Sequence, residues 1–168
     1  MSQYQKLIFA VLATLCASDA FAQSNDDFVD NSKVVALTRF LEAEPLNKNA
    51  PVVRGLLLKW EEKSTDVVDV VCPSMFKSLL NKETPFQSEL LAQFVIGSAA
   101  YQIENPLEKG KLIPQQLAGM RSLLKTYRAY QSGDPKVHIP ELDEFAKHES
   151  AGTLSQFMEP LIATECRS

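Results

Sequence analysis

Two kinds of apolar pattern divide this chain. Residues 7–16 (LIFAVLATLC) run without a charge directly after Lys6. From Ser32 onward, apolar residues instead recur three and four apart, the repeat of helices that bury one face. Val34, Val35, Leu37, Phe40 and Leu41 predict a first helix, capped by Ser32 and stopped before Pro45. Asn49-Ala50-Pro51 opens a second, because proline in a first turn removes an N–H that would be unpaired anyway. Its buried stripe is Val53, Leu56, Leu57 and Trp60. Residues 66–72 (DVVDVVC) suit coil or helix: the valines favour extended backbone, their spacing also fits a turn of helix, and no partner strand is visible. Pro73 predicts a third helix carrying Met75, Phe76, Leu79 and Leu80.

The stretch from Ser88 to Glu104 is the clearest element. Residues 90–101 (LLAQFVIGSAAY) carry no charge, so this helix should be central, apolar nearly all round. Gly97, Ser98, Ala99 and Ala100 are small enough to let neighbours approach closely. Asn105-Pro106 ends it, and a turn at Gly110 leads to Pro114, which opens a fifth helix reaching about Ser132. Pro140 starts a sixth helix, with Leu142, Phe145 and Ala146 facing inward. Thr153-Leu154-Ser155-Gln156 reads as a capping box before a last helix, which Pro160 should kink or shorten. The fold expected is all-α: one compact bundle of six to seven helices wrapped around residues 88–104.

The apolar run at 7–16 is too short to span a membrane. Lys6 before it and Ala20-Phe21-Ala22 after it give a secretory signal its n-, h- and c-regions. Residues 1–22 are therefore read as a cleaved signal peptide, 23–31 (QSNDDFVDN) as a disordered leader and 32–168 as the helical domain. Leu15 before Cys16 does not suit a lipoprotein signal. With Cys16 removed, Cys72 and Cys166 remain, and in an oxidising compartment they predict one disulfide. No apolar span follows, so the protein is expected to be exported, periplasmic or secreted, with no stable membrane span after cleavage.

The net charge of −4 disfavours nucleic acid as a partner. Asp26, Asp27 and Asp30 lack the glycine and closing glutamate of a calcium loop. His138 and His148 are ten apart, matching no zinc spacing. Glu144 and His148 suit a hydrogen-bonded pair on one helix face, joined there by Glu141. Gly97-Ser98 lacks the flanking glycine of a nucleophile elbow, and with six glycines the chain has no phosphate-cradling loop. No cofactor, metal site or catalytic residue is predicted. Two sets remain as candidates. Arg121, Lys125 and Arg128 form a basic stripe at spacings of four and three, suited to a partner's acidic face. Phe94, Gly97, Tyr101 and Tyr127 would line a pocket for a small apolar ligand.

The pattern Val71-Cys72, then Gly97 to Tyr101, Gln116 to Met120, Tyr127 and Cys166, resembles a group of exported bacterial all-α proteins of unassigned function. The helices at 88–104 and 114–132 look like a tetratricopeptide hairpin, though the gap between them is too long for that repeat and no second copy follows. The layout of signal, helices, a glycine helix at mid-chain and a terminal cysteine is similar to periplasmic immunity proteins of type VI secretion effectors. Those usually carry more cysteines before the glycine helix. The resemblance implies another exported protein, an effector, as partner. The expected function is thus a non-catalytic interaction module. A small-ligand binding protein is the alternative, and an enzyme of dispersed residues, with Glu144 and His148 as its named candidates, stands third.

Overall fold

The computed structural model describes residues 29–81 and 83–166. Residues 1–28, with the expected signal peptide, Cys16 and most of the expected leader, lie outside the described residues. Six α-helices follow in order: α1 (Asn31–Ala43), α2 (Ala50–Lys63), α3 (Gln87–Glu104), α4 (Leu112–Gly133), α5 (Pro140–Ser150) and α6 (Leu154–Glu165). Among the described residues there is no strand.

The leader ends earlier than expected. Val29 is buried, and Asp30, not Ser32, caps α1 by accepting the Lys33 N–H at 2.9 Å. Ser32 instead donates to the Asp30 carboxylate at 2.6 Å. Those two hydrogen bonds hold the Asp30 carboxyl down at about 2.

The α-helix expected after Pro73 is replaced by two short 3₁₀ segments, Pro73–Phe76 and Ser78–Leu80. Tertiary partners take the groups an α-helix would have paired. The Ser78 N–H donates to Glu141 on α5 at 2.8 Å, and the Ser78 carbonyl accepts the Thr84 hydroxyl at 2.6 Å. With Pro85 close behind, too little chain remains to propagate a longer helix. α4 begins at Leu112, placing Pro114 inside the first turn rather than at its head. α6 runs on past Pro160; the carbonyl that loses its partner belongs to Gln156, which is exposed to water.

α3 and α4 form the central antiparallel pair, and small residues set their distance. A Cβ on Gly97 would stand 2.1 Å from that of Ser122, and one on Gly119 would stand 2.8 Å from the Phe94 carbonyl oxygen. Each glycine therefore admits a group of the opposite helix. Two apolar clusters lie on either side of α3. The larger joins Leu90 and Phe94 to α4, α5, α6 and the 3₁₀ segments, with Phe76 edge-on to Phe94. The smaller holds Val34, Leu41, Ala50 and Leu57 of α1 and α2 against Ile96. Cys72 and Cys166 form a disulfide across a separation of 94 residues, tying the segment before the 3₁₀ pair to the end of α6.

Candidate functional site

A cleft of about 450 Å³ opens where α1, α3 and α4 meet the start of α6. Its floor is the close α3–α4 contact, with Gly97 and Tyr101 from α3 and Leu117, Ala118 and Ser122 from α4. Arg39 and Glu42 from α1 and Arg121 and Lys125 from α4 supply its charges, and Ser155 closes one end.

Glu42 organises the polar wall. It is only 6% exposed, yet a carboxylate buried without partners is costly. Here it receives Arg39 at 2.7 Å, Lys125 at 2.9 Å and the Ser122 hydroxyl at 2.8 Å. Ser122 in turn accepts the Gln93 amide at 2.8 Å. Glu42, Ser122 and Gln93 thus link three helices through buried polar atoms, and Gly97 provides the room in which Ser122 sits. Neither Glu42 nor Gln93 stood out in the sequence. Their one visible sign is position: each is a polar residue on a face otherwise given to the core.

The cations differ in how firmly they are held. Arg39 spans Glu42 and Glu104, the latter at 2.8 Å, and Lys125 is held by Glu42. Arg121 has a single looser contact, its Nε at 3.4 Å from Glu149, and is half exposed. It is the cation most available to an incoming anion. The Tyr101 side chain is half-buried in the cleft, and its hydroxyl has no hydrogen-bond partner among the described residues.

Both sequence-predicted sets are split by the fold. Arg121 and Lys125 enter the cleft, whereas Arg128 turns to α5, donating to Ser150 at 3.2 Å. Gly97 and Tyr101 enter it, but Phe94 and Tyr127 do not. Phe94 is buried in the larger apolar cluster against Phe76. Tyr127 lies on the far side of α4, where its hydroxyl donates to Asp143 at 2.7 Å and accepts the Ile139 N–H at 2.8 Å. Burial, with the Asp143 carboxylate beside it, pushes the Tyr127 phenol up to about 12.

The Glu144–His148 pair forms, at 3.3 Å, but outside the cleft. His148 is stacked on Phe157 at 3.9 Å, and its Nδ1 lies 2.9 Å from the Thr153 hydroxyl. That contact undoes the expected capping box. The Thr153 hydroxyl turns toward His148 and makes no cap bond, and its backbone is not in the extended region a cap needs. The first turn of α6 therefore has no side-chain cap beside Ser155. Glu141 is drawn to Ser78, so it does not join the pair. Among the described residues, no group of three or more His, Cys, Asp and Glu side chains could hold a metal ion. No described helix is long and apolar enough to cross a membrane. Comparison of the chain with protein-family models, with curated proteins and with solved structures finds no match.

Proposed function

We propose that this protein is an exported, non-catalytic interaction module that holds a protein partner through the α1–α3–α4 cleft. The observation that supports this reading is the meeting of Arg121 and Lys125 with Gly97 and Tyr101 in one concave surface. An opening of about 450 Å³ takes one or two side chains of a partner. Its lining carries three cations to one carboxylate, on a chain whose net charge is −4. An acidic residue beside an apolar one is the matching partner element: the carboxylate meets Arg121, and the apolar side chain rests on Leu117 and Ala118. Complementary charge of this kind selects the partner and speeds encounter more than it adds affinity. The signal-like residues 1–22 support an exported setting, and the likeness to immunity proteins would make the partner an effector.

The alternative, a small apolar ligand, has less in its favour. Phe94 and Tyr127 are committed elsewhere, and the apolar lining that remains is flanked by Arg39, Glu42, Arg121 and Lys125. The test is an amide chemical-shift titration with an unstructured twelve-residue peptide centred on Asp-Leu-Glu. The expected result is shifts grouped at Gly97, Tyr101, Ala118, Arg121 and Ser155, lost in Arg121→Glu. Shifts that scatter over the surface, or that survive Arg121→Glu, would overturn the cleft as the partner surface. A small molecule seen bound in native mass spectrometry would favour the alternative.

A further inference from the structure

Residues 67–72 have a hydrogen-bonding edge that nothing among the described residues uses. The buried side-chain amide of Gln102 behaves as a neighbouring strand would: its oxygen accepts the Val68 N–H at 3.0 Å and its nitrogen donates to the Val68 carbonyl at 3.0 Å. Two residues on, the Gln116 amide donates to the Val70 carbonyl. Positions 68 and 70 thus turn their backbone groups inward. In an extended chain successive residues alternate, so Asp69 and Val71 turn theirs outward. Among the described residues neither has a backbone hydrogen-bond partner.

This edge is held rigid at both ends. Asn31 donates to the Asp66 carboxylate at 2.9 Å, and Cys72 is fixed by its disulfide to Cys166. A pre-formed extended segment loses little freedom when a strand pairs with it. Val68 and Val71 remain 43% and 42% exposed beside the edge, giving an incoming strand apolar side chains to cover.

Charge decides which strand fits. Asp66 and Asp69 lie on the segment, and Glu62, at the end of α2, adds to the negative field. The nearby Lys109 is committed to the Thr65 carbonyl. A second copy pairing antiparallel about Asp69 would set Asp69 against Asp69, which is unfavourable. The chain's own stretch ahead of Val29 carries Asp26 and Asp27 and meets the same repulsion. We propose that residues 67–72 form a strand-docking edge for an extended segment of a protein partner in which lysine or arginine alternates with apolar residues. Main-chain pairing at Asp69 and Val71 gives the affinity, and the carboxylates select the basic sequence. This surface is independent of the cleft, and either can fail without the other.

The experiment uses the oxidised protein and two labelled peptides, KVKVKVK and EVEVEVE, followed by fluorescence anisotropy and by amide hydrogen exchange. The basic peptide should bind at least tenfold tighter than the acidic one. On binding, exchange at Asp69 and Val71 should slow while that of Val68, already bonded, stays as it was. Val71→Pro removes one outward N–H and no bond the fold makes, so it should weaken binding at least tenfold with the helical circular dichroism unchanged. Asp69→Lys should reverse the peptide preference, and it decides alone if Val71→Pro loses its helical signal. Equal binding of both peptides, unchanged exchange at Asp69 and Val71, or full affinity in a folded Val71→Pro would overturn the proposal. So would self-association that Val71→Pro abolishes, which would assign the edge to a second copy.

Discussion

Tyr127 satisfies two polar groups with one hydroxyl. It donates to Asp143 and accepts the buried Ile139 N–H just before α5. Tyr127→Phe keeps the ring and its packing but strands that N–H. The expected loss is about 1–3 kcal/mol of stability, the usual cost of an unpaired buried donor, measured by urea unfolding. Glu61 makes a second prediction, about pH. Its hydrogen bond to Asp69, with partial burial and the neighbouring carboxylates, holds its carboxyl up at about 8 against an ordinary 4.5. Between those values the folded state keeps a proton that the unfolded state has released. Stability tied to Glu61 is therefore complete below the ordinary value and falls as pH rises through about 8. Unfolding measured in steps across that window should show this slope, and Glu61→Gln should flatten it.

At the scale of elements, the α3–α4 pair depends on what its glycines leave out. Gly119→Ala places a methyl group against the Phe94 main chain, which cannot swing aside as a side chain would. It should cost at least about 1–3 kcal/mol in a thermal or denaturant melt, the range for overpacking a close-fitted core. Gly97→Ala should cost as much and also displace Ser122 from Glu42, leaving polar atoms unpaired. The closeness of this pair was legible, because the charge-free run carrying Gly97 to Ala100 has few other uses. So were all six α-helix starts to within two residues, most of them marked by a nearby proline or polar residue. Residues 73–80 were not. Their apolar spacing is helical, but the bonds that break the helix come from Glu141 and Thr84, one of them 63 residues away. Thr153 failed for a similar reason: its capping sequence is sound, but His148 competes for the same hydroxyl. The cleft was half legible. Spacing along α4 put Arg121, Lys125 and Arg128 on one stripe, but only the packing of α1 decides which of them meets Glu42.

At the scale of the whole molecule, the disulfide is the longest covalent tie. Closing a loop of about 100 residues restricts the unfolded chain by up to about 4.7 kcal/mol in the chain-entropy model, and measured gains often fall short of that. Reduction, or Cys72→Ala with Cys166→Ala, should lower stability by about 2–4 kcal/mol in a denaturant melt. It should also free one end of the 67–72 edge. The two apolar clusters make a further distinction. α1 and α2 share their own small core, which meets α3 at Ala92, Ile96 and Ile103, while Glu42 and the Leu41 carbonyl join α1 to α4. Such a hairpin is a natural unit of sub-global opening, able to part from the body while the larger cluster stays intact. The cleft crosses that seam, with Arg39 and Glu42 on one bank and Arg121 and Lys125 on the other. Whatever fills it acts as a staple between the two units. Amide exchange along α2, which contributes no residue to the cleft, should then slow when the cleft is occupied, and occupancy could be read from a helix the occupant never touches.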